Sequence, residues 1–187
     1  MHPHDDASSD TSERSAASEA ARYLRQHRLV LVTAESCTAG LIASRLASVP
    51  GAGEVLDSAF VVYDPGAKVR HLGVRPETIA RHNLTSKPVA LEMAQGALAH
   101  STAGVAVSNT GVVDDTDPEV EAGTQCFAWV FRTGTGARSF TETLVFQGGR
   151  DAIRAQAADH ALARIAHYHR LLNPSTAPEV RADAAAH

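Results

Sequence analysis

The sequence predicts an α/β protein, a three-layer α/β/α sandwich built on a mixed, partly parallel sheet. Two observations carry that expectation. From residue 29 onward, short β-branched runs alternate with stretches of helical spacing, and such alternation implies parallel strands joined by helical crossovers. Late in the chain, two long β segments are joined by the glycine-containing stretch Thr133–Gly136, which suits a hairpin and adds antiparallel strands to the sheet. At 187 residues, 44% hydrophobic and 20% charged, the chain has the length and composition of one such domain with loose ends.

The elements follow in order. Residues 1–11 are polar and acidic and read as a disordered tail, the domain runs over 12–172, and 173–187 read as a second disordered tail. Ser12–His27 is Ala-rich and reads as a first helix. Leu29–Ala34 has the β-branched character of a buried strand. Thr38–Ser48 carries Leu41, Ile42 and Leu46 at helical spacing before Pro50-Gly51 ends it. Strand chemistry returns at Glu54–Tyr63, then Pro65-Gly66 allows a turn into short helices at Ala67–Leu72 and Pro76–His82. Lys87–His100 reads as a helix with Pro88 in its first turn, and Val105–Ser108 as a strand running into Asn109-Thr110-Gly111. The hairpin segments are Thr124–Arg132 and Arg138–Phe146, and a last helix, Arg150–Leu172, aligns Ile153, Ala157, Ala161, Ile165, Tyr168 and Leu172 in one stripe.

Composition also excludes several classes. A net charge of −4 with scattered Lys and Arg argues against nucleic-acid binding through a basic face. Two cysteines, Cys37 and Cys126, supply neither a disulfide framework nor a paired metal motif, so reduced thiols in a cytoplasm are expected. The amino terminus lacks the apolar segment of a secretory signal, and no run approaches the length needed to span a bilayer. A soluble, cytoplasmic protein with no membrane partner is the expectation.

The segment Thr33-Ala-Glu-Ser-Cys-Thr-Ala-Gly40 lies where a strand ends and a helix begins. Amides at a helix start have no intrahelical partner and the dipole there is positive, so a hydroxyl at that turn lies beside donors for an oxyanion or a phosphate. Ser36 is therefore a candidate nucleophile, although Ser36 or Thr38 acting as a simple N-cap is an equally physical reading. Cys37 is the competing nucleophile, with no adjacent His to activate it. No G-x-S-x-G elbow is present, so the base falls to an amine, and the chain has two lysines, Lys68 and Lys87. Lys68 follows the next strand; if the two strands are parallel neighbours, both ends emerge on the edge where α/β folds bind ligands. A solvated helix charge is the bland alternative for Lys68.

Glu35-Ser-Cys-Thr-Ala-Gly40, Phe60-Val-Val-Tyr63, Ala67-Lys68, Leu72-Gly-Val, Val89-Ala-Leu-Glu-Met-Ala94, Thr110-Gly111, Gly123-Thr124 and Gly149-Arg150-Asp151 occur in an order that closely resembles the carboxy-terminal domain of the competence/damage-inducible protein CinA, over about residues 13–170. The resemblance implies a nicotinamide-nucleotide amidohydrolase, which converts nicotinamide mononucleotide to nicotinate mononucleotide and ammonia. It implies Ser36 as nucleophile, Lys68 as general base and Tyr63 as a neighbour that orients or relays a proton. It further implies an oxyanion site of amides near Cys37, Thr38 and Gly40, with Thr110, Gly111 and Arg150 toward the nucleotide. No cofactor or metal is required, and a homo-oligomer is implied.

Three departures from the family pattern bear on substrate. Ala39 stands where the family has a second glycine, which a helical position would tolerate. Asp64-Pro65-Gly66 replaces the family's Ser-Asn-x before Lys68, and proline there could alter the lysine's approach to Ser36. The largest is the loop 112–122, which has lost glycines and a lysine and gained Asp114, Asp115, Asp117, Glu119 and Glu121. Carboxylates repel a phosphate unless a cation intervenes; the loop reads as a solvated acidic stretch, with a divalent-ion site as the sharper alternative. His160, His167 and His169 on the last helix show no zinc motif. Three functions remain open at this level: a Ser–Lys amidohydrolase of a nicotinamide nucleotide, a CinA-like binding module without that activity, and an amidase for a non-phosphorylated substrate.

Overall fold

The computed structural model describes residues 15–172; the two segments expected as tails, 1–11 and 173–187, lie outside them. Helix α1 (Ala16–Gln26) starts at Ser15, whose hydroxyl accepts from the Ser18 amide at 3.2 Å, and buries Ala17, Ala20, Ala21 and Leu24 along one face. Strand β1 (Leu31–Glu35) is buried on both faces, as its unbroken apolar start implies. Helix α2 (Leu41–Ala47) leads to β2 (Leu56–Val61). Helices α3 (Pro65–Leu72), α4 (Pro76–His82) and α5 (Lys87–Ala99) precede β3 (Val105–Gly111). The hairpin β4 (Thr124–Thr133) and β5 (Gly136–Val145) turns through Gly134-Thr135, and α6 (Arg150–Leu172) ends the domain.

Among the described residues one five-stranded sheet runs in the order β2-β1-β3-β4-β5. β1 pairs in parallel with β2 and β3, whereas β4 is antiparallel to β3 and β5, so the sheet is mixed as expected. Alternate strand residues face two separate cores. Leu31, Val105, Val107, Phe127 and Trp129 pack under α1, α2 and α6. Val32, Ala34, Ala106, Ala128 and Val130 pack under α5 and the end of α3. The three layers follow directly from this alternation.

Two details of the fold place the site. The crossover from β1 to β2 runs through α2 on one face, and that from β2 to β3 runs through α3–α5 on the other. The strand order therefore switches direction at β1, and it is beyond the carboxyl ends of strands at such a switch that α/β sheets bind ligands. The second detail is the approach of α5 to α3: a Cβ on Gly96 would lie 2.0 Å from the Leu72 carbonyl oxygen, so only glycine lets the helices meet there. No described helix is long and apolar enough to cross a membrane.

Candidate active site

Ser36 follows β1 directly, at the switch in strand order, but it does not open the helix. Residues 36–40 form turns and α2 begins at Leu41, with Gly40 as its N-cap at φ 91°. The expected N-cap role of Ser36 or Thr38 is thus not observed. Glu35 performs the capping instead. Its fully buried carboxylate accepts the Ile42 and Ala43 amides at 3.0 Å each, and Thr33 donates to it at 2.9 Å. A carboxylate at a helix N-terminus is favoured by the dipole, and this one takes two of the donors expected for a ligand. Ala39 adopts φ 49°, so it is left-handed rather than helical, and the expectation that a helical position tolerates the missing glycine is corrected.

The remaining amides of the turn sort cleanly. Ser36 N–H donates to the Asn109 carbonyl, Thr38 N–H to Asn109 Oδ1, Ala39 N–H to the Ser36 carbonyl and Leu41 N–H to the Thr38 carbonyl. Among the described residues the Cys37 and Gly40 amides have no such partner. The turn is held from outside by Arg154, which donates to the Cys37 and Thr38 carbonyls at 3.1 and 3.0 Å. From β3 and β4, Asn109 donates to Gln125 at 3.0 Å, and Gln125 donates to the Val112 carbonyl at 2.9 Å and to Cys37 Sγ at 3.3 Å. The Thr38 hydroxyl is buried without a partner among the described residues.

Lys68 arrives from α3. Asp64 caps that helix, accepting the Ala67 amide at 3.1 Å, and Pro65 sits in the first turn, where its missing N–H costs nothing. The proline that was expected to alter the lysine's approach therefore starts the helix that delivers it. Lys68 is 1% exposed, and its Nζ lies 2.9 Å from Ser36 Oγ, 2.8 Å from the Val62 carbonyl and 2.9 Å from the Tyr63 carbonyl. Burial disfavours its charged form and brings its pKa down to about 8, with the Asp64 carboxylate acting in the opposite direction. The solvated-charge alternative for Lys68 does not hold.

The other expected residues divide. Tyr63 meets Lys68 through its backbone carbonyl, whereas its side chain is 62% exposed and lies against Arg150. Thr110 is buried and donates its hydroxyl to the Leu84 carbonyl at 3.0 Å, and Gly111 packs so closely on Gln125 that no Cβ fits. Cys37 is buried, and desolvation pushes its thiol pKa up, which disfavours the thiolate that a cysteine nucleophile needs. Arg150, at the start of α6, donates to Asp114 at 2.6 Å. Asp114 also accepts the Thr116 hydroxyl at 2.7 Å; that bond and Arg150 hold its carboxyl below the ordinary carboxylate range. Elsewhere in the acidic loop, Asp117 and Glu119 accept from Asn83.

Glu35, Asn109, Gln125 and Arg154 were not singled out from sequence. Glu35 and Asn109 lie within runs quoted above, but no spacing gives any of the four a role, because they come together only through the sheet register and the first turns of α6. Among the described residues no three His, Cys, Asp or Glu side chains gather as a metal set. His160 contacts Glu142, and His169 contacts Tyr23.

Comparison with known proteins agrees with this architecture. Residues 13–169 match the family described as the CinA C-terminal domain. A protein of Symbiobacterium thermophilum bearing a competence-damage inducible name is 43% identical over 154 residues, 79% of this chain and 36% of its own length. The nicotinamide-nucleotide amidohydrolase PncC of Escherichia coli K12 is 36% identical over 155 residues, 82% of this chain and 92% of its own length. A crystal structure titled competence damage-inducible protein A from Klebsiella pneumoniae superimposes with a TM-score of 0.78 at 32% identity, covering 87% of this chain and 98% of that one. The chain spans only about a third of the longer CinA-like relatives, 36% of the Symbiobacterium protein and 34% of one from Akkermansia muciniphila. On the match over residues 13–169, the chain belongs to the CinA C-terminal domain family.

Proposed function

We propose that this protein is an amidohydrolase of the nicotinamide-nucleotide type, in which Ser36 attacks the carboxamide carbon and Lys68 is the general base. The observation that carries the reading is the 2.9 Å contact between Ser36 Oγ and the buried Lys68 Nζ. Two backbone carbonyls, Val62 and Tyr63, take two of the amine's N–H groups. In the neutral amine this leaves the lone pair for the Ser36 hydroxyl proton, and burial makes that neutral form accessible near pH 8.

In this scheme Ser36 Oγ bonds to the amide carbon as its proton passes to Lys68. The Cys37 and Gly40 amides, which carry no other partner among the described residues, are the donors available to the developing oxyanion. Collapse breaks the C–N bond, and Lys68 returns its proton to the leaving nitrogen, which departs as ammonia. A water then attacks the acyl-enzyme ester while Lys68 takes one of its protons, releasing the carboxylate and restoring Ser36. The likeness to PncC, named a nicotinamide-nucleotide amidohydrolase, supports hydrolysis of a nicotinamide-type carboxamide.

The test is ammonia release from nicotinamide mononucleotide by the purified protein, Ser36→Ala and Lys68→Ala. Removing a nucleophile or its base should lower turnover by about a hundredfold or more. Full activity in Ser36→Ala would end the mechanism, and silence from the unaltered protein on every carboxamide offered would leave a binding module.

A further inference from the structure

We propose that Asp114 is a specificity-determining residue: it holds the guanidinium of Arg150 that a substrate phosphate would otherwise take, and so turns this site toward carboxamides that lack the phosphate. The proposal rests on the Ser36–Lys68 amidohydrolase reading and names the substrate class of that same site. Four observations support it.

Arg150 is already engaged. Its Nη2 donates to Asp114 Oδ2 at 2.6 Å, and the Tyr63 side chain lies beside it; the Tyr63 carbonyl holds Lys68. Asp114 is itself fixed, since its other carboxylate oxygen accepts the Thr116 hydroxyl at 2.7 Å. An arginine fork that recognises phosphate recognises carboxylate with the same geometry, so the two ligands compete for one partner.

The pair lies beside the turn that carries Ser36. Arg150 precedes Arg154 by one turn of α6, so the two share a helix face, and Arg154 touches that turn at the Cys37 and Thr38 carbonyls. The neighbouring cation offers no replacement, because Arg154 donates to the Cys37 and Thr38 carbonyls and ion-pairs with Asp151 at 3.7 Å. Both arginines in the first two turns of α6 are thus matched by carboxylates. Beyond the pair, the rest of the loop adds Asp115, Asp117, Glu119 and Glu121, charges that oppose an incoming phosphate dianion.

The donors that remain open suit a neutral group. The Cys37 and Gly40 amides carry no partner among the described residues. These can serve an amide oxygen as its charge develops. They do not supply the lasting positive charge that a phosphate monoester requires.

The experiment compares kcat/KM for ammonia release from nicotinamide mononucleotide and from its dephosphorylated nucleoside, nicotinamide riboside. The unaltered protein is expected to favour the riboside. Asp114→Asn, which keeps the side-chain shape and frees Arg150, should move the ratio toward the mononucleotide by roughly fivefold or more, mainly through KM. Asp115→Asn removes the same charge one residue away from an exposed side chain, and should move the ratio far less. An unchanged ratio in Asp114→Asn, or an equal change in Asp115→Asn, overturns the assignment. If neither compound is hydrolysed, mononucleotide binding is measured calorimetrically in the same three proteins. Tighter binding in Asp114→Asn alone then keeps Asp114 as the selector while the amidohydrolase reading falls, and equal binding in all three sinks both.

Discussion

Lys68 can accept a proton from Ser36 only because it is placed where a charge is unwelcome. A lysine at 1% exposure, with two carbonyls and a hydroxyl as its neighbours and no carboxylate within hydrogen-bond reach among the described residues, has its pKa lowered to about 8. The base form gains population as pH rises, so kcat/KM should climb through an ascending limb centred near pH 8. Asp64 tunes that value from the helix cap, because its charge favours the lysine's protonated form. Asp64→Asn retains a capping side chain while removing the charge, so the midpoint of the limb should move to lower pH. A pH–rate profile of the two proteins checks it, and an unmoved or raised midpoint would show that Lys68 is not the titrating base. The lysine count and the strand order left Lys68 open between a base and a solvated charge, and it was the family resemblance of the two motifs that paired it with Ser36. The direction of the Tyr63 side chain was not legible, since the same residue serves Lys68 through its carbonyl and Arg150 through its phenolic oxygen.

Elements were more legible than the connections between them. The strands and helices expected from spacing recur within a few residues, because amphipathic period and buried β-branched runs are local properties. The turn 36–40 defeated that reading. Helical spacing begins at Thr38, but the Glu35 carboxylate folds back on the Ile42 and Ala43 amides, so the helix starts only at Leu41. The intervening residues then close the gap through left-handed Ala39 and Gly40. A capping carboxylate that precedes its helix by six residues leaves no spacing signature, and Glu35 was missed for that reason. Its importance to the element is testable. In Glu35→Gln one amide N–H₂ must face a backbone N–H where an oxygen now accepts, leaving buried donors unpaired. The fold should lose about 1–3 kcal/mol, read as a lower urea midpoint with unchanged slope. A midpoint equal to that of the unaltered protein would mean that the turn holds itself without the buried carboxylate.

At the scale of the whole molecule, the mixed sheet assembles the site from segments distant in sequence. β1 delivers Ser36, the end of β2 and the cap of α3 deliver Lys68, and β3 delivers Asn109, all at carboxyl ends on one edge. Burying Lys68 at that edge has a cost in stability that is written into its titration. The unfolded chain holds the lysine proton up to its ordinary value of 10.5, whereas the folded chain releases it at about 8. Between those values the unfolded state binds more protons, so raising the pH stabilises the fold. Below pH 8 both states hold the proton and the full cost of burying the charge remains. Lys68→Met fills similar space without a titrating group and lacks this dependence. The stability of the unaltered protein relative to that variant should therefore be flat below pH 8 and rise toward pH 10.5, by up to about 3 kcal/mol. Urea unfolding of both proteins across that range measures the difference directly. A difference that stays level across it would place the lysine's proton in the folded state throughout, and Lys68 could not be the base. A rise beginning near pH 8, at the same pH where the ascending limb of kcat/KM has its midpoint, would tie the instability and the reactivity to one buried amine.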